Sequence, residues 1–413
     1  MLFRTSTYAK RSRLLKGLIL SGLILCSFVS AEKIVQCISN FPVDVDAYTR
    51  IFKERGEDIR VVAVDIKEYE SALLKRRGFF NQILSRFQTV TIPENVIKIV
   101  FFNLSPKVSR KYDLSKFPKD KLVLFMWEPK TVLRRMYSPK VLQHFSKVYT
   151  WDDSLVDGKI FFKFHYPVLT SMIQEIPDFK EKKLCTLVAS DLKSHFENEL
   201  YTERRQAIDY FEKSGEEGFE FYGRRWDPAQ YKSYRGPIDD KIGTTKHYRF
   251  SICYENTKAV SGYITEKIFD CFSAGIVPVY WGADNVASYI PADCFIDRRS
   301  FSSMEELHDF LKEMTEEEYE GYLAHIRAFL VSDAAKKFSF DQLFEDFYQA
   351  VVIILETAVR DGKVMQSFDS ESFKSGGPFT NRECEPLTLS DSKSKPCITL
   401  PSRTAVSRIM DEI

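Results

Sequence analysis

Several common nucleotide and metal motifs are absent from the sequence of 413 residues. It contains no Gly-x-Gly, no G-x-x-x-x-G-K and no H-E-x-x-H, which excludes the dinucleotide fingerprint, the P-loop and the zinc-protease helix. The six histidines are scattered, and the eight cysteines include no C-x-x-C pair, so no metal site is predicted. The formal net charge of +1 provides no basic field, and no nucleic-acid partner is expected.

Long apolar runs are also scarce, and the one that stands out extends from Gly17 to Val29, after five basic residues. It is shorter than the roughly 20 residues of a spanning helix and has the length of a signal-peptide core. Val29-Ser30-Ala31 provides a cleavage site. Residues 1–31 are therefore predicted to be either a signal peptide, which would leave a secreted protein, or an uncleaved single-pass signal anchor with a cytoplasmic N-terminus.

The remaining chain contains enough apolar residues, at 44% overall, to bury two domain cores. Residues 33–175 alternate strand-like apolar segments with polar or helical ones, and residues 183–358 repeat this pattern. Such alternation predicts two α/β domains with open sheets. Residues 360–413 are rich in Ser, Asp, Lys and Pro and are predicted to be a disordered tail.

The segment from Tyr248 to Gly282 has the pattern of a βαβ unit. A strand-like run ends at Cys253, apolar residues then recur at spacing four from Ile264, and Gly275 stands where a helix would end. A second strand-like run follows and leads to Gly282. A βαβ unit places the end of its first strand and the start of its helix at the same sheet edge, where ligands bind.

Polar side chains gather at this predicted edge. They follow the first strand or occupy the loop and first turn of the helix: Glu255, Asn256, Tyr263, Thr265, Glu266 and Lys267. A helix N-terminus suits a phosphate, Lys267 adds a full positive charge, and a carboxylate can accept hydrogen bonds from sugar hydroxyls. The alternative is that Thr265-Glu266-Lys267 simply begins an ordinary capped helix, with Glu266 and Lys267 exposed to solvent.

The whole segment resembles the donor-binding signature of the family 10 glycosyltransferases, the α-1,3/α-1,4-fucosyltransferases. The matching residues are Tyr254-Glu255-Asn256, Tyr263-Ile264-Thr265-Glu266-Lys267 and Pro278-Val279-Tyr280-Trp281-Gly282. The spacer between Asn256 and Tyr263 is one residue longer than in the family pattern. The resemblance implies two facing Rossmann-like domains of the GT-B type, with 33–175 on the acceptor side, 183–358 binding the donor, and the active site in the cleft between them.

The resemblance also implies roles for individual residues. Glu128 follows the apolar run that ends at Trp127 and precedes Pro129, so it is expected at the ligand edge of the first sheet as the catalytic base. Arg205 is expected to contact the donor diphosphate, with Arg204 as the alternative register. The other expected donor-binding residues are Glu255, Asn256, Tyr263, Thr265, Glu266 and Lys267.

The activity implied is inverting transfer of L-fucose from GDP-β-L-fucose to a hydroxyl, expected to be O3 of GlcNAc, of an acceptor oligosaccharide on protein or lipid. Because Lys267, Arg205 and the helix N-terminus would neutralise the diphosphate, no divalent metal or other cofactor is expected. The implied location is the membrane, through residues 1–31, in the Golgi of a eukaryote or the cell envelope of a bacterium.

Two other functions stay open at this stage. Another sugar-nucleotide transferase of the GT-B type would use the same phosphate contacts with a different sugar pocket. A non-catalytic envelope protein that binds glycans or nucleotides would not need Glu128, Lys267 and Arg205 together, and their joint presence argues against it.

Two short motifs are interpreted as chance matches. Asn103-Leu104-Ser105 is the only glycosylation sequon, but it ends an apolar strand. Asp44-Val45-Asp46 has the D-x-D form of metal-dependent transferases of another fold. It lies about one strand into the first domain, however, before the chain could have formed a nucleotide-binding half.

Overall fold

The computed structural model of the chain describes residues 32–39, 42–69 and 90–360, with the backbone alone over 353–360. The predicted targeting segment 1–31 and the predicted tail from residue 361 onwards lie outside the described residues. No helix within the described ranges combines the length and the apolarity that crossing a membrane requires.

The first half of the chain forms a six-stranded, wholly parallel sheet with the order β2-β1-β3-β4-β5-β6. Its inner strands are largely buried, as expected when helices and loops cover both faces of a parallel sheet, and its two edge strands are partly exposed. The strands are β1 Lys33–Ser39, β2 Ile59–Ala63, β3 Val96–Phe102, β4 Leu122–Met126, β5 Lys147–Thr150 and β6 Phe161–Lys163. The helices among the described residues of this half are α1 Val45–Glu54, α2 Pro106–Lys111 and α3 Pro139–Leu142.

The second half forms a five-stranded parallel sheet with the order β11-β10-β9-β7-β8. Its strands are β7 Lys183–Val188, β8 Phe219–Tyr222, β9 Tyr248–Tyr254, β10 Val277–Trp281 and β11 Ile296–Asp297. The helices that follow β6 are α4 Tyr201–Ser214, α5 Lys241–Thr245, α6 Glu266–Ala274, α7 Met304–Glu313, α8 Glu316–Leu330 and α9 Phe340–Arg360. The predicted α/β fold with two parallel sheets is confirmed.

The βαβ unit predicted in the second half is present as β9, α6 and β10. Trp281 pairs with Tyr254, so the two strands end at the same level of the sheet. Helix α6 begins at Glu266 and is followed by Gly275, whose φ of 64° is left-handed. A β-carbon at Gly275 would also lie 2.3 Å from Ile176 Cδ1, so both backbone conformation and space require glycine here.

The last helix, α9, returns to the first sheet. Phe347 packs against Tyr48, with ring centroids 4.2 Å apart, and against Phe102, at 6.1 Å. Arg55 on α1 pairs with Glu345 at 2.6 Å. Residues 340–352 therefore belong to the core of the first sheet, although the chain up to residue 358 was predicted to form the donor-binding domain.

The two halves contact each other beside the ends of β5 and β9. Tyr263, from the loop before α6, is buried and packs on Trp151, with ring centroids 4.4 Å apart. The Asp153 carboxylate accepts hydrogen bonds from Asn285 Nδ2, at 2.8 Å, and from the Tyr289 hydroxyl, at 2.7 Å. Since these contacts join the ligand edges of the two sheets, they fix how polar groups from both halves face each other.

Candidate active site

Glu128 lies where β4 leaves the first sheet. The backbone N–H groups of Trp127 and Glu128 both donate to Asn103 Oδ1, at 2.8 and 2.9 Å, and the Tyr137 hydroxyl donates to the Glu128 carbonyl at 2.9 Å. Only 4% of Glu128 is exposed. Burial raises the pKa of its carboxyl to about 7, against the opposing attraction of Lys267. The side chain is thus a carboxyl poised between its two protonation states near neutral pH.

Glu255, at the end of β9, is fully buried. It accepts hydrogen bonds from the Thr265 N–H at 2.9 Å and from the Thr265 hydroxyl at 2.7 Å, and its carboxylate lies 3.3 Å from Lys267 Nζ. Burial raises the pKa of Glu255 although Lys267 opposes the change. Glu255 and Thr265 therefore hold the start of α6 and its lysine in place from inside the protein.

Lys267 and Glu266 form the first turn of α6. Lys267 Nζ lies 3.2 Å from Glu266 Oε1, and burial would lower the lysine pKa, but the carboxylates of Glu266 and Glu255 raise it above its ordinary value. Lys267 consequently stays charged at neutral pH, at a helix N-terminus that adds positive potential. Glu266 Oε2 is buried and accepts no hydrogen bond from the described residues, so it retains capacity for a ligand hydroxyl.

The two adjacent arginines on α4 occupy different surroundings. Arg204 is buried, donates to the Tyr254 carbonyl at 2.6 Å and to Asn256 Oδ1 at 2.9 Å, and lines a pocket together with Lys267. Arg205 instead pairs with Asp191 and lies over the Trp226 ring, 5.2 Å from its centroid. Of the two registers considered from the sequence, the alternative, Arg204, is the one beside Lys267.

A third cation, Lys241 on α5, lines the same pocket. It pairs with Asp270 of α6 at 2.9 Å and helps to hold the pKa of Glu266 below its ordinary value, although burial acts in the opposite direction. Lys241 was not singled out in the sequence, because it lies in a polar loop region away from the signature. Three basic side chains, those of Arg204, Lys241 and Lys267, therefore gather at the end of β9, beside the acidic partners Asp270, Glu255 and Glu266.

The acids of the two halves lie close enough for their charges to interact. The charges of Lys267, Glu266 and Glu255 all act on the pKa of Glu128. Tyr201, the first residue of α4, lies within reach of the charges of Lys267 and Glu128 as well. The structure thus brings the first-sheet carboxyl together with the polar start of α6, whereas Tyr263 is buried against Trp151 at the contact between the halves.

The sequence presents Asn103 only as part of a sequon, and no local pattern predicts its contact with the Glu128 backbone. Its position directly after a buried parallel strand was the available signal, since such positions lie at the ligand edge. The D-x-D tripeptide has a local role: Asp44 caps α1 by accepting from the Ala47 N–H at 2.9 Å. Within the described ranges, no group of three or more His, Cys, Asp and Glu side chains could hold a metal ion; metal independence stays a prediction.

Comparison with known proteins finds a sequence family whose description matches part of the second half. Residues 179–346 match the family described as glycosyltransferase family 10 (fucosyltransferase) C-term. The sequence is 39% identical over 92 residues to an alpha-(1,4)-fucosyltransferase of Arabidopsis thaliana, covering 22% of this chain and 23% of the relative. It is 33% identical over 75 residues to the alpha-(1,3)-fucosyltransferase FucT of Helicobacter pylori, covering 18% and 16%.

A mouse protein named 4-galactosyl-N-acetylglucosaminide 3-alpha-L-fucosyltransferase 9 is 33% identical over 144 residues, covering 34% of this chain and 35% of the relative. The chain thus spans about a third or less of the length of these relatives. Among solved structures, an alpha1,3-fucosyltransferase with GDP aligns over 78% of this chain and 92% of its own, with 14% identity and a TM-score of 0.46.

Proposed function

We propose that the chain transfers L-fucose from GDP-β-L-fucose to a hydroxyl of an acceptor glycan, with inversion at the anomeric carbon, because its residues 179–346 match the family described as glycosyltransferase family 10 (fucosyltransferase) C-term. The expected acceptor hydroxyl is O3 of GlcNAc. The observation that supports this most is that Glu128, from the first sheet, lies close enough to Glu255, Glu266 and Lys267, from the second, for their charges to act on its pKa.

The donor diphosphate would bind at the end of β9, beside the start of α6. Lys267, Arg204 and the N-terminus of α6 supply positive charge there, and Lys267 is held charged by Glu255 and Glu266. Arg204 takes the role first assigned to Arg205, since Arg205 is paired with Asp191. These groups stabilise the negative charge that develops on GDP as it leaves, without requiring a metal ion.

Glu128 would act as the general base. The acceptor oxygen attacks the anomeric carbon of fucose from the side opposite the diphosphate, and its proton passes to the Glu128 carboxylate. The new C–O bond forms while the bond between fucose and the phosphate oxygen breaks, and GDP departs. A pKa of about 7 suits this task, because a base works best when its pKa lies near the operating pH.

The sugar hydroxyls of the donor would be held by Glu266 and Asn256. Glu266 Oε2 has unused acceptor capacity, and Asn256 is oriented by Arg204, which donates to its Oδ1 at 2.9 Å. Tyr263, buried between the halves, would set the width of the cleft rather than touch the donor directly. In this arrangement the halves must stay in contact for the base to reach the acceptor.

The direct experiment incubates the purified protein with GDP-fucose and N-acetyllactosamine and identifies the product by mass spectrometry and NMR. We expect an α-fucoside, and the NMR spectrum assigns its linkage. GDP-mannose and UDP-galactose serve as matched donors, and transfer from either in preference to GDP-fucose would favour another sugar-nucleotide transferase. Tight GDP binding without any transfer would favour a non-catalytic binding protein.

Residues 1–31 are proposed to keep the enzyme at a membrane, in the Golgi or in a cell envelope. Cell fractionation and determination of the mature N-terminus test this. An uncleaved N-terminus in the membrane fraction supports the signal anchor, and a soluble product that begins after Ala31 supports the signal peptide.

A further inference from the structure

Asn103 lies immediately after β3, beside the point where β4 ends. Its φ of 64° is left-handed, and its own N–H donates to the Phe125 carbonyl at 2.9 Å. The residue is 4% exposed, and its Oδ1 accepts both N–H groups that follow β4, those of Trp127 and Glu128. The Asn103 amide oxygen thus accepts hydrogen bonds from two successive backbone N–H groups just beyond the end of β4, where no neighbouring strand among the described residues accepts them.

The backbone carbonyl groups of Trp127 and Glu128 are also held by hydrogen bonds. The Trp127 carbonyl accepts from Trp151 Nε1 at 3.1 Å and from the Tyr166 hydroxyl, and the Glu128 carbonyl accepts from the Tyr137 hydroxyl at 2.9 Å. Because the peptide groups before and after the Glu128 Cα are fixed, the direction of its Cα–Cβ bond is fixed as well.

We propose that Asn103 is a positioning residue for Glu128, holding its backbone so that the carboxyl faces the start of α6. This inference rests on the proposed function, in which Glu128 is the base. Asparagine meets two demands at this position. It tolerates a left-handed backbone better than most residues, and its neutral oxygen accepts two N–H groups without placing a second charge beside Glu128. Aspartate would satisfy the geometry but add that charge, and glycine would satisfy the backbone alone.

The same geometry shows why the sequon at Asn103 is not available for glycosylation in the folded protein. Both contacts to the β4 end are from N–H donors, so the oxygen of the Asn103 amide faces them and Nδ2 faces the opposite way. Nδ2 is buried and finds no hydrogen-bond partner in the described part of the chain. A glycan cannot be carried on this nitrogen in the folded protein.

The test compares Asn103→Gly and Asn103→Asp with Ser105→Ala in the full chain, using GDP-fucose and N-acetyllactosamine. Asn103→Gly should lower kcat by about tenfold to a hundredfold, because small displacements of a catalytic group are costly. Asn103→Asp should keep kcat near the wild-type value at high pH. Ser105→Ala removes the sequon but keeps the amide, and should retain the wild-type kcat although α2 loses the N-cap bond from the Val108 N–H to Ser105 Oγ, at 3.3 Å. GDP affinity, measured by calorimetry, should be unchanged in all three variants.

The pH profile separates positioning from a merely structural role. The titratable groups that act on Glu128 or are acted on by it come from several elements: Lys267, Glu266, Glu255, Tyr137, Tyr166, Tyr201 and Tyr263. None of them changes in these variants. A negative charge at residue 103 should move the acidic limb of kcat to higher pH by about one unit, and the glycine variant, which lets Glu128 reach water, should move it to lower pH.

A double-mutant cycle with Glu128→Gln completes the test. Asn103→Gly should cause little further loss of kcat in the Glu128→Gln background, because the group it positions is already disabled. Equal losses in both backgrounds would overturn the positioning role, as would a wild-type profile in Asn103→Gly or an unmoved acidic limb in Asn103→Asp. If Asn103→Gly does not fold, the position of the acidic limb of kcat in Asn103→Asp decides whether Asn103 positions Glu128. If Glu128→Gln itself has normal turnover, the base assigned in the proposed function fails instead.

Discussion

Replacing Glu128 by glutamine should change both turnover and the pH dependence of stability. Raising the pKa of this buried carboxyl from its ordinary value of 4.5 to about 7 corresponds to about 3 kcal/mol, at about 1.4 kcal/mol per pKa unit. Below pH 4.5 the carboxyl is protonated in the folded and unfolded states and contributes nothing. Between pH 4.5 and 7 only the unfolded state loses its proton, so ionisation increasingly destabilises the fold, and above pH 7 the full cost is present.

Glutamine cannot ionise and escapes this cost. The free energy of unfolding of Glu128→Gln should therefore exceed that of the wild type by up to about 3 kcal/mol at pH 8, and the two should differ little at pH 4.5. Turnover should fall by roughly 10² to 10⁴ while GDP still binds normally, because glutamine accepts no proton. The acidic limb of the wild-type rate profile, expected near pH 7, should vanish in the variant.

Urea unfolding at the two pH values and steady-state transfer assays measure these effects. Glu313→Gln, which changes an exposed carboxyl at the end of α7, is the matched control and should alter neither. Near-normal turnover in Glu128→Gln would refute its role as base and direct attention to Asp152 and Asp153, which follow β5. An equal stability difference at both pH values would refute the raised pKa.

Four further outcomes are expected. Lys267→Ala should weaken GDP binding and slow transfer by about 2 to 4 kcal/mol in total; unchanged affinity and rate would remove it from the site. Arg204→Gln should raise the Kd for GDP more than Arg205→Gln, and the reverse order would restore Arg205 as the diphosphate ligand. Gly262→Ala should destabilise the protein and reduce transfer, because its φ is +81° and a β-carbon would lie 2.4 Å from the Trp151 carbonyl oxygen; wild-type stability would contradict this. EDTA should leave most activity intact, and a complete loss restored by Mn²⁺ alone would contradict metal independence.

The sequence by itself determined the parts of this protein that depend on local patterns. The apolar runs and Gly275 specified the β9-α6-β10 unit. The spacing of apolar side chains and the glycine that ends a helix both depend only on residues close together in the sequence. The same holds for Glu128, since a buried run followed by Glu-Pro marks the end of a parallel strand. The helical pattern starts at Ile264 in the sequence, but the helix begins two residues later, at Glu266, because Thr265 is still extended.

Tertiary structure alone decided which side chains meet. Arg204 and Arg205 differ by about 100° around α4, so only the rotation of that helix against β9 selects Arg204 for the pocket. Asn103 and Glu128 are 25 residues apart, and no local pattern pairs them. Helix α9 follows the second sheet in the chain yet packs on the first, because its apolar face fits the aromatic surface around Phe102 and Tyr48. Periodicity predicts that a helix will bury a face, but the surface that covers it is chosen by packing over the whole chain.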